Sequence, residues 1–141
     1  YLAGLGATAF VERATLAERG GALQKERWGG AIDSVGSTTL ANVLAQTVHG
    51  GAVAACGLAG GMDLPATVAP HILRGVALLG IDSVMASQAR RARAWATLAA
   101  RLDKAHLASI ARVEPMSALP RLAEDIVAGR IRGRVVIDVR E

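Results

Sequence analysis

Short apolar runs that end in glycine alternate along this chain with longer stretches whose apolar residues recur every three or four positions. The first pattern fits strands buried on both faces of a sheet, and the second fits helices with one buried stripe. Residues 7–11 are such a run, and the polar segment 12–27 reads as part helix and part loop. Ala31, Ile32, Asp33, Ser34 and Val35 then lead to a glycine turn at Gly36. Helix chemistry begins at once, with Ser37 or Thr38 as the cap and Leu40, Val43, Leu44, Thr47 and Val48 as the buried stripe. His49, Gly50 and Gly51 are expected to end this helix.

The rhythm repeats. Residues 52–56 predict another strand, closed by Gly57, Gly60 and Gly61, and residues 65–74 a short helix that starts at Pro65 and stops at Gly75. Residues 76–84 give a fourth strand with Gly80 inside it, and Ser87 caps a long helix to about Lys104 with an inward stripe at Ala92, Trp95, Ala96, Ala99 and Leu102. Such alternation predicts an α/β fold, a parallel sheet with helices on both faces. The end of the chain departs from the rhythm. Residues 111–114 look extended, and residues 117–128 look helical, with Leu119, Leu122, Ala123, Ile126 and Val127 inward and Gly129 as the stop. Val135, Val136, Ile137 and Val139 form a closing strand, a tail of the kind that returns to a neighbouring domain in two-domain enzymes. At the other end, Leu2, Leu5 and Gly6 read as the last turn of a helix whose beginning is missing, so the amino end reads as a cut.

Composition narrows the picture. A chain of 141 residues suits one domain. With 52% apolar residues but only 3% aromatics, the core must be built from Ala, Val, Leu and Ile. The net charge of +4 invites a nucleic-acid reading, densest at Arg90, Arg91 and Arg93. Those arginines fall opposite the apolar stripe of their helix, and Tyr1, Phe10, Trp28 and Trp95 are scattered rather than interleaved with charge, so we expect a solvated face and no nucleic acid. No apolar run approaches the roughly 20 residues of a membrane span. A single cysteine, Cys56, excludes an internal disulfide, no Cys/His cluster has metal-site spacing, and a cytoplasmic location is the default.

Candidate chemistry is sparse. Gly4, Gly6 and Ala9 match G-x-G-x-x-A on paper, but no strand precedes them and no helix follows, so phosphate binding is not expected there. The strand ends are better placed: in open parallel sheets ligands lie beyond the carboxyl ends, where Val35-Gly36, the segment from Cys56 to Gly61, and Asp82-Ser83-Val84 should converge. The glycines there could equally be tight turns. Cys56 is read as a small buried core residue rather than a nucleophile, His49 as a helix-end cation, and Asp33 as structural. His71 and His106 have no visible acid or nucleophile partner.

The strand ends carry a resemblance. The segments Trp28-Gly-Gly-Ala-Ile-Asp-Ser-Val-Gly36, Gly50-Gly-Ala-Val-Ala-Ala-Cys-Gly-Leu-Ala-Gly-Gly61 and Ile72-Leu-Arg-Gly-Val-Ala-Leu-Leu-Gly-Ile-Asp-Ser-Val-Met85, with the closing Gly129-Arg-Ile-Arg-Gly-Arg134, resemble the acrylyl-CoA reductase branch of the medium-chain dehydrogenase/reductase superfamily, formerly called quinone oxidoreductases. The resemblance runs over essentially the whole chain. It implies the second part of a Rossmann NADP-binding domain over residues 1–110, and a segment, 111–141, that returns to a GroES-like catalytic domain. It implies NADPH as cofactor, no zinc, and reduction of the C=C bond of acrylyl-CoA to propionyl-CoA, with catalytic residues that precede Tyr1. Carried over by position, Gly57, Leu58, Ile72, Ser83 and Arg134 become cofactor-binding residues, with Leu58 as plain core and Arg134 as a surface charge the competing readings. The family also implies a homodimer through the edge strand at residues 76–81. A non-catalytic assembly module and another quinone or enone reductase on the same scaffold remain the alternatives, and the chain alone is expected to be inactive.

Overall fold

The computed structural model describes residues 1–141, which fall into two compact units, Leu2–Ala86 and Ser87–Glu141 with Tyr1. In the first unit three parallel strands lie side by side in the order β1 (Trp28–Asp33), β2 (Thr47–Ala55), β3 (Ala77–Gly80). Parallel neighbours need a crossover, supplied by α1 (Ser37–Gln46) between β1 and β2 and by α2 (Ala69–Arg74) between β2 and β3. Register places Ala31, Val53 and Leu78 in one row and Ile32, Ala54 and Leu79 in the next. Because successive side chains point to opposite faces, the first row meets the helices. Leu40 and Leu44 of α1 pack there with Val53 and Val76, and Ala31, Val43, Ala55, Ala66 and Leu78 close around them. On the opposite face Ile32 is 84% exposed.

The first element of the pattern does not form. Residues 7–11 take no strand pairing, and 7–10 lie exposed, since a short apolar run becomes a strand only beside a ladder partner, and β1 pairs with β2 alone. The helical turn before them is present as a short 3₁₀ segment, Ala3–Leu5, closed by Gly6 at φ 96°.

The boundaries of α1 also differ from expectation. Neither Ser37 nor Thr38 caps it; the buried Asp33 carboxylate instead accepts the Gly36 N–H at 2.8 Å, and Gly36 turns the chain at φ 75°. The helix ends at Gln46, so His49, Gly50 and Gly51 belong to β2, and His49 is an exposed strand residue rather than a cap. Helix ends leave carbonyls without intrahelical donors. Here each of the last four is met: Val43 by the Thr47 hydroxyl (2.8 Å), Leu44 by the Thr47 N–H, Ala45 by the Gln24 N–H (3.0 Å), and Gln46 by the Arg27 N–H (2.8 Å). Arg74 from the end of α2 adds the cation that sequence reasoning assigned to His49. Its guanidinium donates to the carbonyls of Ala45 (2.8 Å) and Gln24 (2.7 Å) and pairs with Glu26 at 3.2 Å. A positive charge at this end also opposes the helix dipole.

A polar seam completes the unit. Asn42 and Gln46, one turn apart on α1, are both buried, although an apolar stripe alone was expected to face inward. Gln24 donates to Asn42 (2.7 Å) and accepts from Gln46 (2.8 Å), Asn42 donates to the carbonyls of Leu16 and Glu18, and the Trp28 indole donates to Gln46 at 3.1 Å. The seam fastens the irregular segment 16–28 along α1, and no buried side-chain polar atom is left without a partner.

Further along, α2 begins at Ala69 rather than Pro65, with Pro70 in its first turn, and ends as expected on Gly75 at φ 60°. In the second unit Ser87 caps α3 (Gln88–Arg101) by accepting the Arg90 N–H. Asp103 interrupts the expected run to Lys104 by capping a separate helix, α4 (Lys104–Ile110). Strands β4 (Ala111–Pro115) and β5 (Arg134–Asp138) pair in parallel across α5 (Leu119–Val127), and Gly129, at φ 68°, stops α5. The apolar stripes are far less covered than the pattern implies: Trp95 on α3 is 68% exposed, Ile126 and Val127 on α5 face solvent, and Leu122 is the unit's one buried apolar side chain. Ion pairs run along this surface, from Arg112 to Glu114 to Arg121 to Asp125 to Arg130. No helix is long and apolar enough to cross a membrane.

Candidate functional site

Parallel strands point their carboxyl ends the same way, so the segments after β1, β2 and β3 gather at one edge of the sheet. There the chain is joined backbone to backbone. The N–H groups of Cys56 and Ile81 donate to the carbonyls of Asp33 (2.8 Å) and Ala55 (2.9 Å), continuing the ladder past the strands. Gly60 donates to Val35 at 2.7 Å, and Gly36 forms a parallel bridge with Gly61. Glycine is required by this closeness: a Cβ at Gly57 would stand 2.7 Å from the Ser34 carbonyl oxygen, and one at Gly36 would stand 2.6 Å from that of Gly61. The tight-turn reading of these glycines is therefore sufficient for them, while the side chain between them has a different fate. Leu58 stands out from the seam, 57% exposed.

The site residues named from sequence are distributed as follows. Gly57 and Leu58 lie in the turn after β2, and Ser83 lies in the turn after β3, in a loop where Asp82 accepts the N–H groups of Val84 and Met85 (3.0 and 2.9 Å). Ile72 is on α2, 73% exposed. Arg134 opens β5 in the second unit, exposed, its guanidinium bonded to the Gly133 carbonyl at 3.1 Å. The motif Gly4-x-Gly6-x-x-Ala9 has none of the strand–turn–helix context of a phosphate loop: a 3₁₀ turn precedes Gly6 and extended chain follows.

Other candidates resolve into structural parts. Cys56, expected in the core, is exposed, with its thiol donating to the Asp33 carbonyl at 3.2 Å, because the ladder extension holds it at the sheet's end rather than under α1. Asp33 is structural, as read, through its bond to Gly36. His71 Nδ1 bonds the Val76 carbonyl at 2.7 Å, tying α2 to the entry of β3. Of the expected solvated arginines, Arg90 and Arg93 are exposed and Arg91 is half-buried. Sequence reasoning missed Arg74, Asn42 and Gln46; the only signal was the i, i+4 spacing of two amides on a helix otherwise expected to be apolar inward.

No protein-family model matches the chain. Individual proteins do. It is 50% identical over 140 residues to the acrylyl-CoA reductase AcuI of Ruegeria pomeroyi, covering 99% of this chain and 42% of that protein. It is 42% identical over 139 residues to a Bacillus subtilis protein with the provisional name quinone oxidoreductase YhfP, covering 97% of this chain and 42% of the relative. The crystal structure of Escherichia coli K-12 YhdH with bound NADPH superposes with a TM-score of 0.92 at 48% identity, over 98% of this chain and 42% of that one. The chain thus spans about two fifths of the length of the relatives it matches. Across nearly its whole length, in sequence and in α/β architecture, it is similar to these acrylyl-CoA reductase and quinone oxidoreductase-like proteins.

Proposed function

We propose that this chain is the nicotinamide-side share of a zinc-independent, cytoplasmic, NADPH-dependent reductase that converts the C=C bond of acrylyl-CoA to propionyl-CoA. The observation that carries the reading is the 50% identity to an acrylyl-CoA reductase over 99% of the chain, which includes the strand-end segments. The chemistry at those ends is compatible. Exposed apolar side chains at Leu58 and Ile72, and the Ser83 hydroxyl, suit a neutral ring with an amide substituent better than a phosphate. In this reading Gly57, Leu58, Ile72, Ser83 and Arg134 hold the cofactor. When bound, NADPH supplies the hydride for the β-carbon of the thioester. The chain's own contribution is to fix a rigid apolar wall that excludes water and sets the approach. Residues 1–110 form part of the nucleotide-binding domain and 111–141 the segment that joins the catalytic domain. The exposed edge of β3 within residues 76–81 pairs two subunits.

The whole protein is expected to oxidise NADPH, read by absorbance, on addition of acrylyl-CoA and to release propionyl-CoA. Turnover with quinones and none with acrylyl-CoA would replace this reading with the second one, a quinone reductase, which the likeness to YhfP favours. The chain by itself is expected to bind NADPH weakly and to be inactive, because the G-x-G-x-x-A match in its 141 residues, Gly4-x-Gly6-x-x-Ala9, lacks the strand–turn–helix context of a pyrophosphate loop. Submicromolar binding in calorimetry would refute that expectation.

A further inference from the structure

Charge is divided unevenly between the two units. Residues 2–86 hold five Lys and Arg against six Asp and Glu, whereas residues 87–141 hold eleven against six. Three of those eleven line a cleft of about 390 Å³, Arg112, Arg130 and Arg132, together with Tyr1 and Ser109. We propose that this cleft binds the terminal phosphate or diphosphate of a coenzyme. A run of arginines is ordinarily just a solvated face, and three observations set this one apart. First, the walls are fixed. Arg134 pairs with Ala111 in the β4–β5 register, and Gly133, at φ 77°, lies so close to the Ile110 carbonyl that a Cβ there would collide with it. Second, carboxylates are too few. Glu114 serves both Arg112 (3.1 Å) and Arg121 (3.6 Å), and Asp125 serves both Arg121 (3.2 Å) and Arg130 (2.8 Å). Third, Arg132 has no carboxylate or carbonyl partner; its guanidinium rests over the Tyr1 ring at 5.0 Å, an arrangement that leaves its N–H donors unused.

Several planar forks around one concavity match the oxygens of a phosphate better than the two of a carboxylate. Two sources of that chemistry arise under the proposed reductase, the phosphorylated end of coenzyme A and that of NADPH; the site itself does not depend on that reading. The test is calorimetry on the full chain with inorganic pyrophosphate, followed by displacement with coenzyme A and with NADPH. Saturable pyrophosphate binding is expected, weakened about tenfold or more in the Arg130→Gln/Arg132→Gln double variant and unchanged in Arg140→Gln, an exposed arginine outside the cleft. Circular dichroism checks the fold, and Arg132→Gln alone, expected to weaken binding about threefold, serves if the double variant is misfolded. Displacement by coenzyme A alone identifies the thioester's end, and by NADPH alone the cofactor's. The proposal is overturned by the absence of saturable binding, by an equal loss in Arg140→Gln, or by pyrophosphate that neither coenzyme displaces. None of these readouts involves reductase turnover, so failure of the functional reading would leave this result separate.

Discussion

In residues 2–86 a leucine, a valine, a threonine and a proline lose all contact with solvent, and three amide side chains bond one another along α1. In residues 87–141 one leucine is buried, and order is kept by helix caps, one parallel strand pair and a line of surface ion pairs. Both units follow the same alternation of helix and strand. The contrast teaches that periodicity gives the elements while burial sets how strongly each is held. An apolar stripe is a capacity for packing, realised in α1 and largely unrealised in α3.

The strongest way to break this contrast is to cut one leucine from each side. Leu44→Ala, at a fully buried position, is expected to cost about 2–5 kcal/mol in denaturant unfolding followed by circular dichroism, and Leu98→Ala on exposed α3 less than about 0.5 kcal/mol. Equal losses would mean that α3 is packed after all. Next is Arg74→Ala, which strips donors from two carbonyls and a partner from Glu26 at a side chain only 16% exposed. A loss of about 2–3 kcal/mol is expected, and Arg74→Lys should recover little of it because an ammonium cannot span the same acceptors. Full recovery by lysine would reduce the role to bare charge.

How much of this was legible beforehand depends on what each feature needs. Strands β1 and β3, the second half of β2, the glycine stop at Gly75, the Ser87 cap and the pairing tail at 134–138 all rest on local chemistry, and each was readable. The strand at residues 7–11 needs a partner in space, so an apolar run alone misled. The end of α1 needs donors from Gln24, Arg27 and Arg74, up to 29 residues away, which no window along the chain contains. At the candidate site the glycine-rich turn was recognisable, but that Gly36 and Gly57 answer to neighbouring backbone, and Gly61 to the side chains of Ser37 and Asp63, was visible only in three dimensions.

The surface pairs of the second unit give the smaller effects. Arg121→Ala removes the bridge between Glu114 and Asp125 and is expected to cost no more than about 1 kcal/mol, vanishing near about 1 M salt. A loss that survived high salt would argue for packing rather than charge. Smallest is Asp138, whose carboxyl the side-chain and backbone hydrogen bonds of Arg140 hold below the usual carboxylate range. A lowered folded value means that the stabilising contribution is present above the usual carboxylate range and is lost as pH falls through the folded value. In Arg140→Ala the Asp138 titration, followed by NMR, is expected to move up toward that range; an unmoved titration would detach the carboxyl from its partner.

The seam of Gly36, Gly57 and Gly61 bears on how this protein could be altered. Because the turns after β1 and β2 are locked by main-chain contacts and by the Asp33 carboxylate, position 58 sits on a platform that its own residue does not hold up. Under the proposed reading, replacing Leu58 would reshape the wall that faces the cofactor while leaving the backbone beneath it in place. The three glycines offer no such latitude. An engineer seeking new selectivity at this edge therefore has one freely variable residue mounted in a frame that admits almost no variation.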